Sequence, residues 1–341
     1  MASESKCGNT GNDRCGSGSW MRDQAGVLPV LVYASPRKLP SAEKLAGRVV
    51  VLDLAFAGKG LGKSFEKSTG KLILGLGERL AAWVDHHDNE RHADYADDPR
   101  FVLSGKTMNR SCAEMVTPEL VKTVGHVDTL VTHADLDGLY SAAKWILGGR
   151  PPYPGADEDA RAVDSRIGKA GDIGILLDQA LRGRQGDEPL LNAVVRYLVF
   201  GWGVNGGLDP VKSDVLNGAL RYDAVDEESD LEYIRGAAED FSLMNAEAKK
   251  LASGYRVEGR VAFVDVGEPL QRFDKTGLLL TGQDLAEVAI VKHGGNITVA
   301  APFNSGWDFV GLLGLGGGMP TRITVRADRL EELLTKLNKS A

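Results

Sequence analysis

Three cysteines in 341 residues are too few for a disulfide framework, and Cys7, Cys15 and Cys112 lack the spacing of a zinc set. Positive charge is in deficit: 40 Lys and Arg stand against 47 Asp and Glu, a net charge of −7. A protein that grips long duplex nucleic acid through its general field needs a basic face, so that class is excluded. A polyanionic substrate is not, because metal ions held in a site bring positive charge locally. No apolar run reaches the length of a membrane span; the densest is VVRYLVFGW at 194–202. No basic-then-apolar segment opens the chain, and the polar, Ser/Gly/Asn-rich residues 1–25 read as a disordered leader. Internal repeats are also missing. These absences set the expectation of a reducing, cytoplasmic compartment and no membrane partner.

What is present points to two domains, since 341 residues are about twice an average domain. Hydrophobic residues at 43% and charged residues at 26% are ordinary for a globular chain. Glycine, at 42 residues, is in excess and implies many tight turns or close backbone approaches. Short β-branched runs recur at VLPVLVYA (27–34), RVVVLDLAF (48–56), the end of KLILGLGERLAAWVD (71–85) and HVDTLVTHAD (126–135), with helical spacing between them, as in SCAEMVTPELVKTV (111–124). Continuously apolar strands separated by helices predict a parallel sheet covered on both faces. A helix follows in LDGLYSAAKWILGG (136–149), and residues 168–253 read as mostly helical. A second α/β unit is expected from GRVAFVDVG, a helix through DLAEVAIV, GGNITVAAP, a Gly-rich loop, ITVRAD and a last helix DRLEELLTKLN. The fold class is α/β, a Rossmann-like parallel-sheet domain with a smaller α/β C-terminal domain. The expected boundaries are 26–225 for the first domain (its helical part 168–225), 226–255 for a linker helix and 256–341 for the second domain.

Six histidines are available, and three of them fall in two short windows at strand ends, DHH (85–87) and THADLDG (132–138). A third strand, VVVLD, ends on Asp53. Parallel sheets place ligand sites beyond the carboxyl ends of their strands. His133 and Asp135 are two apart and face one way on an extended segment. Asp137 reaches a neighbouring position, Asp53 suits a bridging carboxylate, and His86 adds a nitrogen. Such a mixed set fits Mn²⁺, Co²⁺ or Fe²⁺, and buried acids converging without a cation would repel at heavy cost. The plain alternative is a capped surface turn at 85–87 and ordinary loop acids at 135 and 137.

WVDHHDNE, THADLDGLYSA, VVVLD and SCAEMV resemble the signatures of the DHH phosphoesterase superfamily, which includes RecJ-type exonucleases, nanoRNA and pAp phosphatases, cyclic-dinucleotide phosphodiesterases and family II pyrophosphatases. In most members the HxDxDG motif comes first; here HADLDG follows both Asp53 and DHH, an order that resembles a circular permutation. The resemblance implies two Mn²⁺ ions, with Mg²⁺ or Co²⁺ as substitutes. One is held by His133, Asp135 and Asp53, and the other by Asp137, Asp53, His86 and a later aspartate. Asp164 is the best candidate for that aspartate, in competition with Asp157, Asp159 and Asp172. His87 then meets the substrate phosphate and Asp85 orients an imidazole, while Ser111 and Glu114 cap and support the following helix. Two metal ions activate a water near neutral pH and clamp the phosphate oxygens.

The C-terminal segment resembles the DHHA1 domain that usually accompanies DHH. Gly316, Gly317 and Gly318 are candidate substrate contacts, with Met319 where the family has histidine. The family's Ser-x-Arg-Ser strand is missing, and ITVAAPFNSGWDF offers Ser305 and Asn304 instead. AGKGLGKS (57–64) approaches a phosphate-binding loop with Ala57 at the first glycine's place, and Lys63 can equally serve as a steering lysine beside the metal site. The expected activity is manganese-dependent hydrolysis of a small nucleotide, cyclic dinucleotide or short oligonucleotide; a homodimer is compatible with it. The alternatives are an inorganic pyrophosphatase or polyphosphatase, and a nucleotide-binding regulatory module without catalysis.

Overall fold

The structure is a computed structural model that describes residues 28–57, 64–200, 224–315 and 319–339. Five strands, β1 (Val30–Ala34), β2 (Val49–Leu52), β3 (Leu80–Asp85), β4 (Phe101–Leu103) and β5 (Thr129–His133), form one sheet in the order β1-β5-β2-β3-β4. Every pairing in it is parallel. β5 comes last in the chain yet lies between β1 and β2, so the displaced HADLDG motif is a direct neighbour of the strand carrying Asp53.

The apolar runs are continuous because both faces of the sheet are covered. Val50, Leu52, Val84 and Leu130 turn to one face; Val49, Val51, Trp83 and Val131 turn to the other. The first face packs on α3 (Leu136–Ile146) and on the helical layer α4 (Ala156–Ser165), α5 (Asp172–Gly183), α6 (Glu188–Phe200) and α7 (Ala224–Ala252). The second is covered by α1 (Thr69–Leu76) through Leu72, Ile73 and Leu76. All strand carboxyl ends thus open on one edge of a buried sheet, where polar side chains can gather without breaking the core.

The segment 111–124 is not one helix. A single turn at Cys112–Met115 is followed by α2 (Pro118–Val124), because Pro118 lacks an amide proton and Thr117 caps the new start through Leu120 N at 3.2 Å.

The second unit is a mixed sheet in the order β10-β9-β8-β7-β6, made of β6 (Arg256–Glu258), β7 (Val261–Asp265), β8 (Val288–His293), β9 (Asn296–Ala300) and β10 (Arg322–Arg326). Here the expectation of a helix through DLAEVAIV is corrected. α8 (Lys275–Leu285) stops at Leu285, and VAIV is a strand that pairs in parallel with β7. Leu285, Val288 and Ala289 mimic helical spacing, but Val288, Ala289, Ile290 and Val291 are all buried, as a central strand requires. A short α9 (Phe309–Leu312) and the terminal α10 (Leu330–Lys339) complete the unit. No helix among the described residues is long and apolar enough to cross a membrane.

Candidate metal centre

The strand register assembles the site. Leu52 of β2 pairs with Thr132 of β5 on one side and with Val84 of β3 on the other. The next residue on each strand is therefore Asp53 at the centre, flanked by His133 and Asp85. Asp53 adopts a left-handed backbone, φ 55°, and donates its N–H to Val84 O at 2.9 Å. A non-glycine residue in that region is strained, and such strain collects at functional sites.

Two sets of ligand atoms converge there. Asp53, His133 and Asp135 form one, and His86, Asp137 and Asp164 form the other; within each the atoms lie within 4.8 Å of one another. Asp53 Oδ1 is 3.4 Å from His86 Nε2, which links the two sets, and Asp137 Oδ2 is 3.3 Å from the same nitrogen. Asp53, His86 and His87 make a third possible set.

The supports explain why these atoms stay in place. His86 Nδ1 bonds Asn109 O at 2.8 Å, which leaves Nε2 free to serve as a ligand nitrogen. Asp137 is gripped by Ser111 Oγ at 2.5 Å, Cys112 N at 2.8 Å and Ala113 N at 3.1 Å. Ser111 also closes a capping box with Glu114, so its role extends past helix capping to holding the Asp137 carboxylate. Asp135 caps α3 through Gly138 N at 3.1 Å and bonds His133 Nδ1 at 2.6 Å. Only glycine fits at 138: a Cβ there would lie 2.4 Å from His133 O. Asp85 is sealed from solvent and holds His87 Nδ1 at 2.7 Å, while the His87 ring remains partly open.

The electrostatics are those of crowded acids. Burial pushes the Asp53 carboxyl well above its usual range, and Asp137 and Asp135 add to the effect. Burial also raises Asp137; His86 and Ser111 oppose the rise, and Asp164 adds to it. Burial works against a charged His133, yet the adjoining Asp135 and Asp53 outweigh it and lift the imidazole to about 9. Asp85 moves the other way, because the His87 contact overcomes the burial of its carboxylate.

The fit to divalent ions rests on two atoms. Asp53 Oδ1 and His86 Nε2 are buried and have no hydrogen-bond partner. Folded proteins rarely leave a buried polar atom without a partner, so an adjacent pair left open inside a ring of carboxylates and imidazoles fits a cation. The donor set of oxygen and imidazole nitrogen suits Mn²⁺ and its neighbours.

Of the four aspartates expected to compete for the last position, only Asp164 reaches the cluster. Asp157 pairs with Lys144, Asp159 accepts from Gly171 N, Gly174 N and Tyr153 Oη, and Asp172 is exposed at the start of α5. Ser305 is exposed and accepts from Trp307 N; the cleft wall ends one residue earlier, at Asn304. Lys63, Gly316, Gly317 and Gly318 lie outside the described residues, as do most of the AGKGLGKS segment, Cys7, Cys15 and Trp202.

Sequence reasoning missed Lys106, Asn109 and Arg322. Lys106 is buried against Asp164, and Asn109 serves through its backbone carbonyl, which no side-chain pattern reveals. Arg322 of β10 faces the cleft of about 630 Å³ between the two units, whose opposite wall carries His133, Asp135, Asp137 and Asp164. Arg166 and Arg182 line the same cleft and are bound by Asp178. Arg322 makes no ion pair among the described residues and donates to Thr276 Oγ1 at 3.2 Å. Burial, followed by the charges of Arg166 and Arg182, pushes its guanidinium below the usual range.

The fold and site define an α/β protein with an imidazole–carboxylate centre at the carboxyl ends of a parallel sheet. No family model and no curated protein matches the chain. Among solved structures it is similar to PggH, a pGpG-specific phosphodiesterase from Vibrio cholerae, at 16% identity and a TM-score of 0.42, over 76% of this chain and 80% of that one. It is also similar to an exonuclease RecJ bound to manganese, at 12% identity and a TM-score of 0.42, over 86% of this chain and 74% of that one. At that level of likeness neither neighbour assigns an activity to this chain.

Proposed function

We propose that the protein is a metal-dependent phosphoesterase of the DHH type, which hydrolyses a small nucleotide, a cyclic dinucleotide or a short oligonucleotide with two Mn²⁺ ions. The observation that carries this reading is the open pair Asp53 Oδ1 and His86 Nε2, buried among five further potential ligands. Asp53, His133 and Asp135 would hold one ion; His86, Asp137 and Asp164, with Asp53 between, would hold the other. Bound there, divalent ions supply an acidified water and countercharge for a phosphate.

The remaining residues act on the substrate. His87, held by Asp85 Oδ1, would donate a hydrogen bond to a phosphate oxygen. Arg322 offers an unpaired guanidinium from the facing wall, where an anionic group would restore charge balance. A cleft of about 630 Å³ is the size of a small-ligand pocket and supports a nucleotide-sized substrate over a long duplex.

The test is a hydrolysis panel of pAp, a cyclic dinucleotide, a linear dinucleotide RNA and short single-stranded DNA, with Mn²⁺, on wild type and Asp135→Ala. Cleavage of at least one by wild type and of none by the variant is expected. Pyrophosphate and tripolyphosphate complete the panel; turnover of these alone would replace the nucleotide reading with an inorganic one. Mn²⁺ binding without turnover of any compound would support a binding module.

A further inference from the structure

A lysine ammonium already sits in the acidic cluster. Lys106 Nζ lies 2.7 Å from Asp164 Oδ2, with only 6% of its side chain exposed. That same oxygen points at His86 Nε2, 3.9 Å away. The inward oxygen of Asp164 is therefore shared between a buried ammonium and the His86–Asp137–Asp164 ligand set. No lysine or arginine reaches Asp53 or Asp135 at ion-pair distance among the described residues, where His133 is the shared neighbour of both.

The position of Lys106 is built into the fold. It stands in the turn 104–110, closed by Met108 N to Gly105 O at 2.9 Å and by Ser104 Oγ to Asn109 Oδ1 at 2.8 Å. The same turn supplies Asn109 O to His86 Nδ1. One loop thus fixes the imidazole of the second set and places a positive charge on its carboxylate.

Resting on the metal-dependent reading above, the geometry points to two unequal metal sites: a tight one at Asp53, His133 and Asp135, and a second at His86, Asp137 and Asp164 that Lys106 weakens. A divalent ion entering the second set must displace the ammonium from Asp164 Oδ2 and then bear its repulsion in a site shielded from water. The protein then holds one ion at low metal and both only at higher metal, so that Lys106 sets the metal concentration at which the centre is complete.

The experiment is calorimetric titration of metal-stripped, full-length protein with Mn²⁺, with electron paramagnetic resonance to detect a coupled ion pair. Wild type is expected to give two steps whose affinities differ by about tenfold or more. Lys106→Met, or Lys106→Gln if the first variant is poorly folded, brings the two steps together and produces the coupled signal at lower Mn²⁺. Asp135→Asn removes the tight step and Asp164→Asn the weak one. Two equal steps in wild type would overturn the inference, as would a gap that both Lys106 variants leave unchanged. Folded wild type that binds no Mn²⁺ would overturn the metal reading itself, a distinct result.

Discussion

Asp53 Oδ1 and His86 Nε2 lie 3.4 Å apart at the ends of neighbouring strands, both shut off from solvent and both without a hydrogen bond. In the metal-free protein this pair is a cost. The Asp53 carboxyl is raised by burial and then by Asp137 and Asp135, so the folded state keeps its proton after the unfolded chain has lost it. Stability of the metal-free protein therefore falls as pH rises from the unfolded carboxyl value of about 4 to the higher folded one. Asp53→Asn removes that loss. In chelator, calorimetry is expected to show the variant melting above wild type at pH 8 and by a smaller margin at pH 5. Added Mn²⁺ raises the melting temperature of wild type and leaves the variant much less affected.

Gly138 has a steric duty next to the same centre. An alanine methyl there would meet His133 O at 2.4 Å, and backbone cannot move aside cheaply. Gly138→Ala is expected to cost about 1–3 kcal/mol in denaturant unfolding and to weaken Mn²⁺ binding, because the shift passes straight to His133. A variant as stable as wild type with unchanged Mn²⁺ affinity would contradict this placement.

Arg322 is expected to serve substrate binding and not the chemical step. It faces the cleft from the second unit, on the wall opposite Asp135, Asp137 and Asp164. With a nucleotide substrate, Arg322→Gln is expected to raise KM about tenfold or more, the loss of one charged hydrogen bond, while kcat changes little. Steady-state kinetics reads the split directly; an unchanged KM would remove Arg322 from the binding surface.

Much of this centre is legible in the sequence. The acids and imidazoles follow apolar β-branched runs, and a parallel sheet brings the ends of such runs to one edge. The strand order was not legible, since pairing β5 between β1 and β2 is decided by tertiary packing. β8 was hidden by residues whose spacing also fits a helix. Lys106 gave no signal, because a lone lysine in a polar turn reads as exposed; its burial depends on Asp164, 58 residues further on. Arg322 was equally silent, as its meaning comes from a cleft between two separate sheets.

The most direct measurement is hydrolysis of bis(p-nitrophenyl) phosphate by metal-stripped protein, before and after Mn²⁺ is restored, with wild type and Asp135→Ala side by side. The expected result is no turnover without metal, turnover by wild type when Mn²⁺ returns, and none by a normally folded Asp135→Ala. Equal turnover by the variant, or metal-independent turnover by wild type, would contradict the assignment of chemistry to this centre.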